Sequence, residues 1–169
     1  KTTTSAYWPD RKDFRIYTPE FLRTLERMQK ASLPVFMSGS YPGTDLVMTN
    51  DTSVASLVKK TLHFMPRTGH AVRTGSVAAT DKAAPAFTGR FEFNTGITDK
   101  IYAAESPDAI EPAGRQSVTA FRYLENNTSA AVMYTGDVRS FVMGFPFETI
   151  ISRKERDELM KQILDFLLK

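Results

Sequence analysis

The segment with the most suggestive chemistry runs from Met37 to Asp45 and reads Met-Ser-Gly-Ser-Tyr-Pro-Gly-Thr-Asp. A short apolar run leads into it, and Gly39 and Gly43 flank Tyr41. This pattern is typical of a nucleophile elbow, in which small flanking residues let a strained turn hold one side chain above a sheet edge. It also fits a glycine-rich turn between strand and helix, where ligands bind in open α/β sheets. The predicted ligand-binding residues are Ser38, Gly39, Gly43, Thr44 and Asp45.

A few side chains elsewhere in the sequence could support acid–base or nucleophilic chemistry. His70 follows Thr-Gly in a predicted turn and is the better general base, because His63 stands among apolar residues and is expected to pack in the core or at an edge. Glu148 ends the run Gly-Phe-Pro-Phe-Glu and either acts as an acid or base beside Tyr41 or only precedes a helix cap. A serine of the segment, His70 and Asp45 would together form a hydrolase-like set. The candidate catalytic residues are Ser40, Tyr41, His70 and Glu148.

The composition excludes several classes of protein and site. The chain has 169 residues, no cysteine, two histidines and a formal net charge of +3. It therefore has no disulfide, thiolate metal site or cysteine nucleophile, and its charge is too small to indicate nucleic-acid binding. No phosphate-binding or dinucleotide-binding fingerprint and no apolar run long enough to span a membrane occur in it. We expect no cofactor and no metal.

The elements that must position these residues indicate one α/β domain. Thr18 and Pro19 predict a helix start, Leu33 to Met37 a buried strand, and Asp51 or Thr52 the cap of a second helix after a loop. Residues 62–136 contain short β-rich segments separated by turns, which favours a mixed or antiparallel latter half of the sheet. Residues 140–147 predict another buried strand, and 152–155 form a capping box before an apolar helical stripe.

Several segments together resemble one family. The runs PVFMSGSYPGTDL, TGHAVRTG and SFVMGFPFETIISRKERDELMKQILDFL are similar to the C-terminal region of secreted Bacteroidetes proteins labelled xanthan lyase or golvesin-domain proteins. The resemblance covers residues 14–169 and is most specific in the last run. It implies a degenerate member of the class I glutamine amidotransferase-like group, which has a flavodoxin-like three-layer α/β fold and includes ThuA-like domains.

The resemblance also implies what the site has lost. In active members the elbow reads Gly-x-Cys-x-Gly, and a later strand ends Gly-Val-Gln-Phe-His-Pro-Glu. Tyr41 stands at the position of the cysteine, and Glu148 at that of the catalytic histidine. We therefore expect no glutaminase activity. In that fold two or three strands precede the elbow strand, so we expect this chain to lack its first strands and to be part of a larger protein.

The resulting expectation is an N-terminal arm, residues 1–17, followed by a single α/β domain, residues 18–169. The leading interpretation is a non-catalytic or weakly catalytic accessory domain of a secreted, periplasmic or cell-surface bacterial protein that acts on or binds glycans or cell-envelope polymers. One alternative is a carbohydrate-active hydrolase or lyase that uses the elbow. The other is a structural module that mediates oligomerisation. Expected partners are the remaining domains of the larger protein, a glycan, and other copies of the chain, with no nucleic acid and no membrane span.

Overall fold

The computed structural model describes residues 15–169, which form a mixed α/β fold. Residues 1–14, most of the expected N-terminal arm, lie outside the described residues. In chain order the elements are α1 (Pro19–Lys30), β1 (Val35–Ser38), α2 (Pro42–Thr49), α3 (Thr52–Thr61), β2 (Phe64–Thr68), β3 (Ser76–Ala79), β4 (Arg90–Glu92), β5 (Ala109–Pro112), β6 (Ser117–Tyr123), β7 (Ser129–Tyr134), β8 (Ser140–Met143) and α4 (Arg153–Leu167). Two short 3-10 helices span Asp81–Ala83 and Phe147–Thr149.

Most of the strands form one mixed sheet. Its six strands have the order β1-β8-β7-β6-β3-β4. β1 pairs with β8 in parallel, and the other neighbours in this sheet pair antiparallel. β2 and β5 form a separate antiparallel pair. The prediction of an α/β fold with a mixed or antiparallel latter half of the sheet and a C-terminal helix is therefore confirmed.

Side-chain caps set the starts of three helices. The Thr18 hydroxyl accepts a hydrogen bond from the Phe21 amide at 3.3 Å, so α1 begins where the sequence predicts. The Ser152 hydroxyl accepts one from the Glu155 amide at 3.3 Å at the start of α4. The Asp51 carboxylate caps α3. Each cap provides an acceptor for a backbone amide that the first turn of a helix leaves without one.

Four segments differ from the sequence-based expectation. The predicted loop after the elbow contains a helix, α2, because Pro42 occupies its first position, where proline needs no amide partner. β2 and β5 each contain a proline, which weakens the sequence signal for a strand, yet both belong to a two-stranded ribbon in which edge positions tolerate proline. Residues 100–106 lie within the range 62–136, for which the sequence predicts short β-rich segments, and form an irregular loop instead.

The main sheet has a hydrophobic cluster on each face. Along β8, Phe141 and Met143 join one cluster, and Val142 between them joins the other, as side chains alternate across a strand. Helix α4 covers the first face with Leu159, Ile163 and Phe166. The second face is covered by Leu25 of α1 and by Val54 and Val58 of α3.

Between residues 15 and 169 the structure contains no helix whose length and apolarity would let it cross a membrane.

The parallel pairing of β1 with β8 brings the two predicted functional segments together. Ser38, the last residue of β1, lies opposite Met143, the last residue of β8. The elbow and the Gly-Phe-Pro-Phe-Glu run therefore leave the same edge of the sheet, at the carboxyl ends of neighbouring strands.

Candidate functional site

The elbow has a strained backbone at its centre. Tyr41 has φ 68° and ψ 16°, in the left-handed region, and is the N-cap of α2. Positive φ is uncommon for a residue with a bulky side chain and is a feature of elbows that present one residue at a strand-to-helix turn. The predicted strained turn is therefore present, with tyrosine in the position that the resemblance assigns to the nucleophile.

The residue after Tyr41 lacks the backbone amide that acyl-transfer chemistry requires at this position. In nucleophile elbows the amide of the residue following the nucleophile forms part of the oxyanion hole. Here that residue is Pro42, which has no backbone N–H. This turn therefore lacks the amide donor that would stabilise a tetrahedral intermediate.

The next amides of α2 are bound by a carboxylate from the same chain. Asp108 Oδ2 accepts hydrogen bonds from the Gly43 amide at 2.8 Å and from the Thr44 amide at 2.7 Å. Its Oδ1 accepts one from the Thr44 hydroxyl at 2.8 Å. A carboxylate is well placed at a helix N-terminus, where amides point outward and the helix dipole favours negative charge. Asp108 therefore fills the anion position that the elbow would offer to a ligand.

Asp108 is completely buried and is also held through its backbone. Its amide donates to the Gly144 carbonyl at 2.7 Å, and its carbonyl accepts from the Tyr123 hydroxyl at 2.9 Å. Burial raises the pKa of the Asp108 carboxyl, although the hydrogen bonds from Thr44 and Gly43 and the charge of His70 oppose this effect. Asp108 therefore links α2, the elbow helix, with the end of β8 and with β6.

Two glycines allow this close approach. A Cβ atom on Gly43 would lie 3.3 Å from Asp108 Oδ2, and a Cβ on Gly69 would lie 2.4 Å from Thr44 Oγ1. Any side chain at Gly69 would therefore displace Thr44. His70 follows with φ 47° and is exposed, so the predicted turn at this histidine is present and places its charge near Asp108.

The partners of Asp45 lie just before α1. Its Oδ1 accepts from Arg15 Nη1 at 2.9 Å, and its Oδ2 accepts from the amides of Ile16 at 2.9 Å and Tyr17 at 3.2 Å. The Tyr17 hydroxyl donates to the Pro42 carbonyl at 2.8 Å, and burial together with the charges of two aspartates raises its pKa. Asp45 and Tyr17 thus fix the segment before α1 against the elbow helix.

On the other side of the elbow, β1 meets the run after β8. The Ser38 hydroxyl accepts a hydrogen bond from the Phe147 amide at 3.3 Å. Glu148 is exposed, and its Oε1 accepts from the Tyr102 hydroxyl at 2.5 Å. Burial, with the hydrogen bond and charge of Glu148, raises the pKa of Tyr102 to about 12. Tyr102 therefore remains a neutral phenol at ordinary pH.

The structure thus places the predicted catalytic residues in three groups. Ser40 and Tyr41 lie on the elbow, His70 lies on the turn near Asp108, and Glu148 lies beside Tyr102. The hydrolase-like set with Asp45 would need that carboxylate to face a histidine, whereas both its oxygens bind the segment before α1. Catalytic roles for Ser40, Tyr41, His70 and Glu148 remain predictions.

Sequence reasoning missed Asp108, Tyr102 and the consequence of Pro42. The missing amide of Pro42 could have been inferred from the sequence, since the proline directly follows the residue at the elbow centre. Asp108 is 64 and 65 positions away from the residues it binds, and no local pattern links them. Within residues 15–169, no three histidine, aspartate or glutamate side chains are grouped so that they could hold a metal ion.

Comparison of the chain with protein-family models, curated proteins and solved structures finds no match.

Proposed function

We propose that this chain is a non-catalytic or weakly catalytic accessory domain of a secreted, periplasmic or cell-surface bacterial protein that binds or acts on glycans or cell-envelope polymers. We also propose that its α/β fold is a flavodoxin-like, three-layer variant. The observation that carries the proposal is the state of the elbow, in which Pro42 supplies no amide and Asp108 binds the next two.

The magnitude of this loss argues against acyl-transfer chemistry. Removal of one oxyanion-hole donor typically lowers kcat by about 100- to 1000-fold. A tyrosine with an ordinary pKa near 10 is in addition a weak nucleophile without strong activation. These two effects multiply, so glutamine hydrolysis at the elbow would be negligible.

The groups at this edge of the sheet suit a hydroxyl-rich ligand. The elbow carries the hydroxyl side chains Ser38, Ser40 and Tyr41, and the run after β8 carries the carboxylate of Glu148 next to the phenol of Tyr102. Hydroxyls both donate and accept, and carboxylates accept, which matches the hydrogen-bonding groups of sugars. This chemistry, together with the family resemblance, supports a glycan as the partner.

Binding and turnover can be measured on the same purified chain. Affinity gel electrophoresis against a panel of plant and bacterial polysaccharides reports binding as slower migration, and assays for new reducing ends and for unsaturated uronates report hydrolysis and lyase activity. The proposal predicts retardation by at least one polysaccharide with little or no turnover. Turnover that is lost in Ser40→Ala, His70→Ala or Glu148→Gln would instead establish the hydrolase or lyase alternative.

A second candidate function, self-association, is favoured by the edge of the main sheet. Within residues 15–169, β1 pairs with β8 alone, and Leu33 just before it is 49% exposed. An open strand edge next to an exposed apolar side chain promotes association between chains. Light scattering should then give a mass above 19.0 kDa that falls toward the monomer value in Leu33→Lys. A monomeric wild-type chain at all concentrations would exclude this candidate.

A further inference from the structure

The loop that precedes β5 holds an exposed aromatic ring beside the elbow edge. Its base is closed by a hydrogen bond from the Ala104 amide to the Asn94 carbonyl at 2.8 Å, and the Asn94 side chain donates to the Ile101 carbonyl at 2.7 Å. Tyr102 follows directly, is 54% exposed, and donates its hydroxyl to Glu148. The ring is therefore fixed at both its backbone and its hydroxyl while part of its surface faces solvent.

We infer that Tyr102 and Glu148 form a saccharide subsite that selects uncharged, hydroxyl-rich glycans over acidic ones. This inference rests on the proposed function, because it assigns a ligand class to the same edge of the sheet. The apolar C–H face of a sugar ring packs on the exposed part of the Tyr102 ring, and sugar hydroxyls donate to Glu148. An immobilised aromatic ring provides contact area without a large loss of side-chain entropy on binding.

The hydrogen-bonding capacity of Glu148 indicates donors on the ligand. A carboxylate accepts only, and its two oxygens offer about four lone-pair positions. The Tyr102 phenol, which stays protonated because its pKa is about 12, occupies one position on Oε1. Since Glu148 is exposed, the remaining positions are available to ligand hydroxyl groups.

The negative charge of Glu148 and of the loop that carries Tyr102 disfavours the binding of an acidic polymer. Besides Glu148, the loop carries the exposed acidic residues Asp99 and Glu105 and a single exposed basic residue, Lys100. A uronate placed on the Tyr102 ring would bring its own carboxylate toward Glu148, and a like-charge contact of this kind is a common means of excluding a wrong ligand. An uncharged sugar makes the same ring contact without that repulsion.

Affinity gel electrophoresis with defined polymers tests the inference. The probes are hydroxyethyl cellulose and galactomannan as neutral polymers, and polygalacturonate and xanthan as acidic ones. We expect the wild-type chain to be retarded by a neutral polymer and at least about tenfold more weakly by the acidic ones. Tyr102→Ala should weaken neutral binding about tenfold or more, and Tyr102→Phe, which keeps the ring, only a few-fold.

Glu148→Gln separates charge from shape, because it keeps the size of the side chain and removes its charge. This variant should bind acidic polymers more tightly than the wild type and so reduce the discrimination. Glu26→Gln, an exposed glutamate on α1, is the matched control and should leave all affinities unchanged. Circular dichroism of each variant establishes that it is folded.

The possible results distinguish this inference from the proposed function. Equal or tighter binding of acidic polymers by the wild type would overturn the charge selection and leave glycan binding in place. Neutral binding that is unchanged in Tyr102→Ala would overturn the location of the subsite. Absence of binding to every polymer would overturn the proposed function and this inference with it.

Discussion

Replacement of Asp108 tests whether its carboxylate holds the elbow helix. In Asp108→Ala the amides of Gly43 and Thr44 lose their acceptor. Each buried amide left without a partner costs about 1–3 kcal/mol, so we expect a loss of about 2–5 kcal/mol in the free energy of unfolding. For a domain of this size that corresponds to a fall in Tm of roughly 5–15 °C.

Asp108→Asn is the informative comparison, because the amide group can keep all three hydrogen bonds. Its oxygen can replace Oδ2 and accept from both amides, and its NH₂ group can donate to the Thr44 hydroxyl, which also accepts. We expect a change below about 1 kcal/mol. Thr44→Val removes the single hydroxyl contact and should cost about 1 kcal/mol.

The stability of the wild type and that of Asp108→Asn should also depend differently on pH. Because burial raises the pKa of Asp108 in the folded state, the folded chain holds this proton more tightly than the unfolded chain. The resulting stabilisation is complete below the ordinary pKa of about 4 and is lost as the pH rises through the folded-state value. Denaturant titrations between acidic and neutral pH should therefore show the wild type losing stability relative to Asp108→Asn.

Two outcomes would refute the reasoning about Asp108. If Asp108→Ala melted within about 2 °C of the wild type, a change worth less than about 1 kcal/mol, the carboxylate would contribute little to the elbow. If Asp108→Asn were as damaging as Asp108→Ala, the contribution would lie in the charge rather than in the hydrogen bonds.

Three further predictions concern the core, the pH response and catalysis. Ile163→Ala, at a fully buried position of α4, should cost about 2–5 kcal/mol in thermal or denaturant unfolding, while Leu164→Ala beside it, 47% exposed, should cost much less. Burial lowers the pKa of His63 to about 4, so the free energy of unfolding should fall by about 1–2 kcal/mol as the pH drops from about 6.5 through 4, a value discounted because the ring is only partly buried. Asn in place of His63 tolerates its φ of 58° and should abolish this loss in denaturant titrations. Neither the wild type nor Tyr41→Phe should release ammonia from glutamine.

Each of these predictions has an outcome that contradicts it. An unchanged unfolding midpoint in Ile163→Ala would show that the apolar stripe of α4 lies outside the core. A pH profile that stays the same in His63→Asn would assign the acid sensitivity to other groups. Ammonia release by the wild type that disappears in Tyr41→Phe would show that the elbow is an active nucleophile site.

The parts of the fold that follow from local chemistry were predictable. The start of α1 at Pro19 and that of α4 after Ser152 follow from capping residues, and the strand nature of β1 and β8 follows from short apolar runs. α2 was missed because Tyr-Pro-Gly is typical of a turn, and only the surrounding contacts make Pro42 the first residue of a helix. Local patterns thus set the ends of elements, whereas tertiary contacts decide ambiguous segments.

Only those features of the candidate site that lie within one continuous segment of the sequence were predictable. The strained turn at Tyr41 and the turn at His70 are local features and were expected. The carboxylate of Asp108 and the phenol of Tyr102 reach the site from a long loop, and their partners are distant in sequence. No periodicity or spacing in the sequence indicates such contacts, since they depend on how β5 and the loop before it pack against α2 and the end of β8.

The parallel pairing of β1 with β8 has a consequence for the order of folding. Val35 pairs with Ser140, so this contact closes a loop of roughly a hundred residues, whereas β6, β7 and β8 are joined by short turns. Contacts between distant residues form late because the chain entropy lost in closing the loop must be offset by contacts already made. We expect the antiparallel strands to form first and the elbow to appear only when β1 docks on them. During synthesis the elbow can therefore form only after β8 has left the ribosome.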